Sequence, residues 1–155
     1  MELHRGDKEV ERGKEIVVLD ASVVAKWFVE EKHTDAALRA RDDYQAGKTD
    51  IWSTELLPFE VLNAPRYGPG YGLEELKAAA GALERYRLAL SPVLGELAEA
   101  SVSDAVTYGI TLYDAAYVAL ARTLGRRMYT ADQKLLAKLS KVGHAVHVEE
   151  YRPRA

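Results

Sequence analysis

The sequence predicts an α/β fold in which a mainly parallel central sheet is flanked by helices. Two observations carry this expectation. Short apolar, β-branched runs recur along the chain, the first being Ile16-Val17-Val18-Leu19, and strands buried on both faces of a parallel sheet read this way. Between these runs lie longer stretches of helical periodicity, the pattern of strand–helix–strand units.

Taken in order, residues 1–14 alternate charges without apolar periodicity, which predicts a disordered tail ahead of a single domain over 15–152. The first strand ends at Asp20. Ser22 is then expected to N-cap a helix through Val23, Ala25, Trp27 and Phe28. A second helix is predicted from Thr34 to Ala46, stopped by Gly47. Ile51-Trp52 predicts a second strand, with Ser53 or Thr54 capping a helix that carries Leu57, Glu60, Val61 and Asn63 and that Pro65 should kink or end. Pro65–Gly72 is rich in glycine and proline and predicts a loop.

Helical periodicity resumes from Leu73 to Tyr86. Leu88–Leu94 predicts a strand that Pro92 confines to a sheet edge. Gly95–Tyr108 predicts a helix. Thr111-Leu112-Tyr113-Asp114 resembles a capping box and opens another, which Gly125 closes. Arg127–Thr130 and Ala145–Val148 predict the last two strands, with a short helix beginning at Asp132 between them.

Composition bounds the function. The chain has 155 residues, enough for one sizeable core, and 29% of them are charged. It has no cysteine, which excludes disulfides, thiolate chemistry and cysteine-ligated zinc. No apolar run approaches the ~18 residues of a membrane span. The charged N-terminus lacks the apolar core of a secretory signal, so the expected location is cytoplasmic, away from any membrane. The net charge of −3 gives no general attraction for nucleic acid, so phosphate contacts must come from local basic residues or bound cations.

Four acids stand out by position. Asp20 and Asp132 follow predicted strands and therefore belong at the carboxyl edge of a parallel sheet, where ligands bind. Glu60 lies on the helix after the second strand, and Asp114 in the first turn of a later one. Carboxylates gathered in one place disfavour one another's ionised forms, so such a gathering calls for a cation. Oxygen donors without His or Cys suit Mg²⁺ or Mn²⁺, and phosphodiester hydrolysis is the chemistry such a site serves. Each acid also has a purely local reading. Asp132 can N-cap its helix, Asp114 can complete a capping box with Thr111, Asp20 can bond the backbone of a tight turn, and Glu60 can be a solvated surface residue.

The strings around these acids are more specific. Ile16-Val17-Val18-Leu19-Asp20-Ala21-Ser22 resembles the opening motif of PIN domains, and Pro58-Phe59-Glu60-Val61-Leu62-Asn63-Ala64 the second. Leu112-Tyr113-Asp114-Ala115-Ala116-Tyr117-Val118-Ala119-Leu120-Ala121 closely resembles the third motif, and Thr130-Ala131-Asp132-Gln133-Lys134-Leu135 resembles the fourth. The order is that of the PIN-domain ribonucleases of the VapC toxin type. The resemblance implies a PIN-like three-layer sandwich and a metal-dependent endoribonuclease. It also implies the toxin half of a toxin–antitoxin pair, silenced by a small antitoxin protein and expected to be a homodimer.

By motif, Asp20, Glu60, Asp114 and Asp132 match the family's catalytic, metal-holding acids. Ser22 and Thr130 match hydroxyl positions that would support the acids or a bound water, and Asn63 a position that hydrogen-bonds nearby. A plain N-cap for Ser22 and a local backbone bond for Asn63 are the alternatives. The sequence departs from many relatives after Asn63, where Pro65 replaces a continuing helix; this bears on local geometry and partner contacts.

Lys26, Arg122, Arg126, Arg127 and Lys134 lie near the motifs as candidate phosphate contacts. Tyr67 and Tyr71 are candidates for stacking on unpaired bases, for partner contacts or for folding back on the core. His144 and His147, three apart on a predicted strand, face opposite ways and read as structural or surface residues. Competing readings are a haloacid-dehalogenase-type phosphatase, which wants an acid where Ser22 stands, and a phospho-receiver, which wants an acidic pair at Asp20. A non-catalytic PIN-fold interaction module and a PIN nuclease of RNA processing also compete.

Overall fold

Five strands, all parallel, form one sheet in the order β3-β2-β1-β4-β5. They were located in a computed structural model that describes residues 14–66 and 70–152, with the backbone alone for Arg66. All of the expected 1–14 tail except Lys14, and any role for Tyr67, lie outside the described residues.

β1 (Glu15–Leu19) is central, and Val17, Val18 and Leu19 are fully buried, as an apolar strand covered on both faces requires. β2 (Thr49–Thr54) and β3 (Ala89–Ser91) extend the sheet on one side of it, β4 (Met128–Thr130) and β5 (Ala145–His147) on the other. β3 is an edge strand, and Pro92 directly follows it, where no ladder hydrogen bond is lost.

The helices are α1 (Ala21–Val24, continued by a 3₁₀ turn Ala25–Trp27), α2 (Thr34–Gln45), α3 (Leu57–Arg66) and α4 (Leu73–Tyr86). They are followed by α5 (Gly95–Tyr108), α6 (Leu112–Leu124) and α7 (Gln133–Lys138). α6 lies against β1, β2 and β4 and is buried from Ala115 to Ala121; α5 packs along it. Among the described residues, no helix is long and apolar enough to cross a membrane.

The strand order positions the site. The chain builds outward from β1 through β2 to β3, then returns to the other side of β1 as β4 and β5. The direction of winding therefore reverses between β1 and β4, and ligands of open parallel sheets bind in the crevice outside the carboxyl ends at that reversal. Asp20 follows β1, and its backbone N–H donates to the carbonyl of Tyr129 on β4 at 3.3 Å, closing the seam.

Two expectations about helix ends are corrected. The cap of α1 is Asp20, not Ser22: Oδ1 of Asp20 accepts from the Val23 amide at 3.3 Å, and Ser22 already lies inside the helix. Pro65 does not end α3, which runs on through Arg66. Pro65 removes one backbone donor from the ladder, and the helix continues through it by one described residue.

Candidate active site

Asp20 is held by a compact hydroxyl network. It is 4% exposed, and Oδ1 accepts from the Ser22 hydroxyl at 2.6 Å. The Ser22 hydroxyl also accepts from the Ala131 amide at 2.8 Å and stands 3.2 Å from the Thr130 hydroxyl. The Thr130 hydroxyl in turn accepts from the Asp132 amide at 3.1 Å. Ser22 and Thr130 thus tie the end of β1 to the end of β4. Burial pushes the Asp20 carboxyl up to about 7, against the lowering pull of the Ser22 and Thr130 hydroxyls; the charge of Asp114 adds to the rise.

Asp132 is exposed and N-caps α7, Oδ1 accepting from the Leu135 amide at 3.0 Å. Asp114 sits one turn into α6, its amide held by the N-cap hydroxyl of Thr111 at 3.1 Å. Burial raises the Asp114 pKa, and the charge of Asp132 raises it further, while Thr111 and Lys138 lower it. Glu60 is half-buried on α3, where the buried Tyr117 hydroxyl donates to Oε1 at 2.7 Å. Burial raises the Glu60 pKa, Tyr117 lowers it, and Asp114 raises it.

Asp114 is therefore common to three electrostatic pairs, with Asp20, Glu60 and Asp132. It also borders two adjoining grooves. One is lined by Thr111, Asp132, Lys134 and Lys138 besides Asp114, the other by Phe59, Glu60, Asn63, Thr111 and Tyr113. The four acids line one rim as pairs; among the described residues, no three His, Cys, Asp or Glu side chains stand together as a ready-made ligand shell. A hard divalent ion does not need such a shell, because Mg²⁺ keeps several waters and binds through one or two carboxylates. The donor set fits that ion: every candidate ligand is an oxygen, and the charge of Asp114 raises the pKa of Asp20 and Glu60 while that of Asp132 raises Asp114, a repulsion that a cation relieves.

The basic candidates divide. Lys134 lines the groove of Asp114 and Asp132. Lys26 does not reach the rim as a free cation: it is buried and paired with Glu31 at 3.0 Å. The Nη1 of Arg122 is committed to both oxygens of Asp104 on α5, at 2.7 and 2.6 Å. Arg126 and Arg127 precede β4, which puts them at the amino edge of the sheet, opposite the acids. Tyr71 folds back, its hydroxyl donating to the Phe28 carbonyl. His144 contacts the Val118 carbonyl at 3.1 Å and His147 accepts from the Glu149 amide at 3.0 Å, and neither lines the two grooves.

Sequence reasoning missed two contributors. Lys138 lines the same groove as Lys134 and donates to the Gly109 carbonyl at 3.1 Å; its signal was the four-residue spacing from Lys134, which puts both on one helix face. Tyr117 supports Glu60 from one turn beyond Asp114 on α6, a spacing that was visible without its partner.

Comparison with known proteins bears on this arrangement. The family model for the PIN domain matches residues 17–142. Ribonuclease VapC3 of Pyrobaculum aerophilum is 30% identical over 126 residues, which are 79% of this chain and 93% of that protein. Among solved structures, Mycobacterium tuberculosis VapC20, described as a sarcin-ricin loop cleaving toxin, aligns with a TM-score of 0.65 at 20% identity, over 88% of this chain and 99% of that one. A chain of a toxin–antitoxin complex from Klebsiella pneumoniae aligns with a TM-score of 0.65 at 16% identity, over 87% of this chain and 99% of that one.

Proposed function

Because the chain belongs to the PIN-domain family, we propose that it is a divalent-metal-dependent endoribonuclease and the toxin of a VapBC-type toxin–antitoxin pair. One observation supports the reading: Asp114 is paired electrostatically with each of Asp20, Glu60 and Asp132, at the carboxyl edge where the sheet reverses its winding. The similarity to Ribonuclease VapC3 supports RNA as substrate, and the fold shared with a toxin–antitoxin chain supports a small antitoxin protein as partner. We further assign one PIN domain to residues 15–152, a cytoplasmic location and a homodimer.

Asp20, Asp114, Asp132 and Glu60 would hold Mg²⁺ or Mn²⁺. When bound, the ion supplies Lewis-acid chemistry and charge stabilisation for phosphodiester hydrolysis. The chain's own residues prepare the site. Ser22 and Thr130 fix Asp20 and spend their donors in doing so, so the buried carboxylate keeps one orientation. Tyr117 fixes Oε1 of Glu60. Lys134 and Lys138 face the groove beside Asp132, where they would meet the phosphates flanking the cut. In the reaction, water adds to phosphorus, the bond to O3′ breaks and O3′ takes a proton. The products are a 5′-phosphate and a 3′-hydroxyl, with no part played by the 2′-hydroxyl.

The test is a mixed pool of single-stranded and structured RNA incubated with Mg²⁺, Mn²⁺ or EDTA, beside Asp20→Asn. Cutting that needs the metal and disappears in the variant is expected. Folded protein free of antitoxin that cuts nothing with either metal would favour instead the non-catalytic interaction module.

A further inference from the structure

Two aromatic side chains lie open beside the acids. Phe59 is 79% exposed and Tyr113 57% exposed, and each immediately precedes an acid of the rim, Glu60 and Asp114. Both rings line the groove that holds those acids and Asn63. A side chain one position before another on a helix points about 100° away from it, so the rings border the groove while the carboxylates sit within it.

An exposed phenylalanine contributes little to the core, and the groove it lines is of mixed polarity. Two carboxylates and the Asn63 amide share it with the rings. The adjoining groove shares Thr111 and Asp114; Lys134, Lys138 and Asp132 line that one, the two aromatic rings and Glu60 the other. A polyanion with flat bases matches that set of chemistries: phosphates meet the lysines, the cleaved group meets the acids, and unstacked bases meet the rings. A paired base keeps its faces covered by its neighbours and offers nothing to a ring.

We propose that Phe59 and Tyr113 are specificity-determining residues that stack on the unpaired bases next to the cut, selecting RNA whose bases are already free. The inference rests on the nuclease reading for the word "cut", but not for the binding itself.

The test is fluorescence anisotropy with the full chain and a labelled 12-nucleotide RNA of mixed sequence. The probe is presented unpaired, annealed to its complement, or lacking one base at its centre, with Ca²⁺ in place of Mg²⁺ and probe integrity checked on a gel. Phe59→Leu and Tyr113→Leu are each expected to weaken unpaired RNA by roughly 5- to 100-fold and to leave duplex binding alone. Phe59→Trp should bind within about threefold of the parent, since any aromatic face can stack. The abasic probe should bind more weakly to the parent and show a smaller further loss with the Leu variants, the non-additivity of a shared contact.

Leu variants that are folded by circular dichroism and bind unpaired RNA like the parent would overturn the proposal, and would make the rings a protein-contact surface. A parent that binds neither RNA form would overturn both this proposal and the nuclease reading. The expected binding pattern without metal-dependent cutting would sink the nuclease reading and leave the stacking assignment standing. Unchanged binding by the Leu variants with cutting intact would do the reverse.

Discussion

The hydroxyl of Tyr117 on α6 donates a 2.7 Å hydrogen bond to Oε1 of Glu60 on α3, joining two acid-bearing helices across 57 positions of sequence. Tyr117 is buried, so this bond fixes Glu60 from beneath and leaves its outer face to the groove. It also lowers the pKa of Glu60, which burial and Asp114 raise.

Tyr117→Phe removes this bond and also takes an acceptor from the buried Thr54 hydroxyl, the second hydrogen-bond partner of Tyr117. Because that bond reaches a charged group that is only half-buried, we predict a loss of about 1–2 kcal/mol in stability. With the lowering influence gone, the Glu60 pKa moves up, so the acid limb of the pH–rate profile should move to higher pH. Urea unfolding and the pH dependence of kcat/KM check the two parts separately. An unmoved profile would make Tyr117 a packing residue only.

Asp20 sets a pH dependence of stability. Its folded-state pKa is raised from 3.8 to about 7, so between those values the folded protein holds a proton that the unfolded chain has released. The resulting stabilisation is complete below pH ~4 and is lost as pH rises through about 7. At about 1.4 kcal/mol per tenfold change in proton affinity, it amounts to a few kcal/mol. Thermal melts in EDTA from pH 5 to pH 9 should therefore fall in Tm with rising pH, and Asp20→Asn should flatten that fall. Added Mn²⁺ should raise the Tm of the parent most at the high-pH end. A parent and variant with the same slope would contradict the assignment.

Arg122 is a structural residue. Its Nη1 reaches both oxygens of Asp104, whose side chain is 8% exposed, while the Arg122 side chain is 43% exposed. Removing one partner of a buried pair costs ~3–5 kcal/mol, and exposure of the arginine reduces that through screening. We predict that Arg122→Ala lowers stability by about 1–2 kcal/mol and leaves RNA cleavage per folded molecule unchanged. A selective loss of RNA affinity would return Arg122 to the phosphate contacts.

What the sequence disclosed and what it concealed divide along contact range. β1 was legible from its apolar run Ile16–Leu19, buried between two layers, and the limits of α4 and α5 from helical periodicity. The local and the functional readings of Asp20 and Asp132 proved compatible: both N-cap helices, and both stand at the rim. The cap of α1 was misassigned because Asp20 and Ser22 are both good cap residues, and only the path of the chain out of β1 decides between them. Arg126 and Arg127 looked close to the fourth motif, but β4 intervenes and carries them to the other edge of the sheet. Tyr117 and Lys138 act on Glu60 and Gly109 from other elements, and local pattern contains no information about such pairs.

Lys134 and Lys138 should report on phosphates. On single strands, each phosphate that a side chain no longer neutralises reduces the slope of log K against log salt by roughly 0.7. We predict that Lys134→Gln and Lys138→Gln each flatten the slope by about that much and weaken RNA binding at low salt. Lys26→Gln, which breaks a buried pair with Glu31 instead, should leave the slope alone. Equal slopes in all proteins would remove the two lysines from the RNA contacts.

The acidic rim centred on Asp114 can be tested by mapping the ends of RNA cut by the parent and by Asp114→Asn, each with Mn²⁺ and with EDTA. If the rim holds the metal that drives hydrolysis, the parent leaves 5′-phosphate and 3′-hydroxyl ends, and does so with Mn²⁺ alone. Asp114→Asn should then be slower by at least about 100-fold, the scale seen when a transition-state-stabilising group is removed. Cutting that persists in EDTA, ends that carry a 2′,3′-cyclic phosphate, or full activity in the variant would contradict that role for the rim.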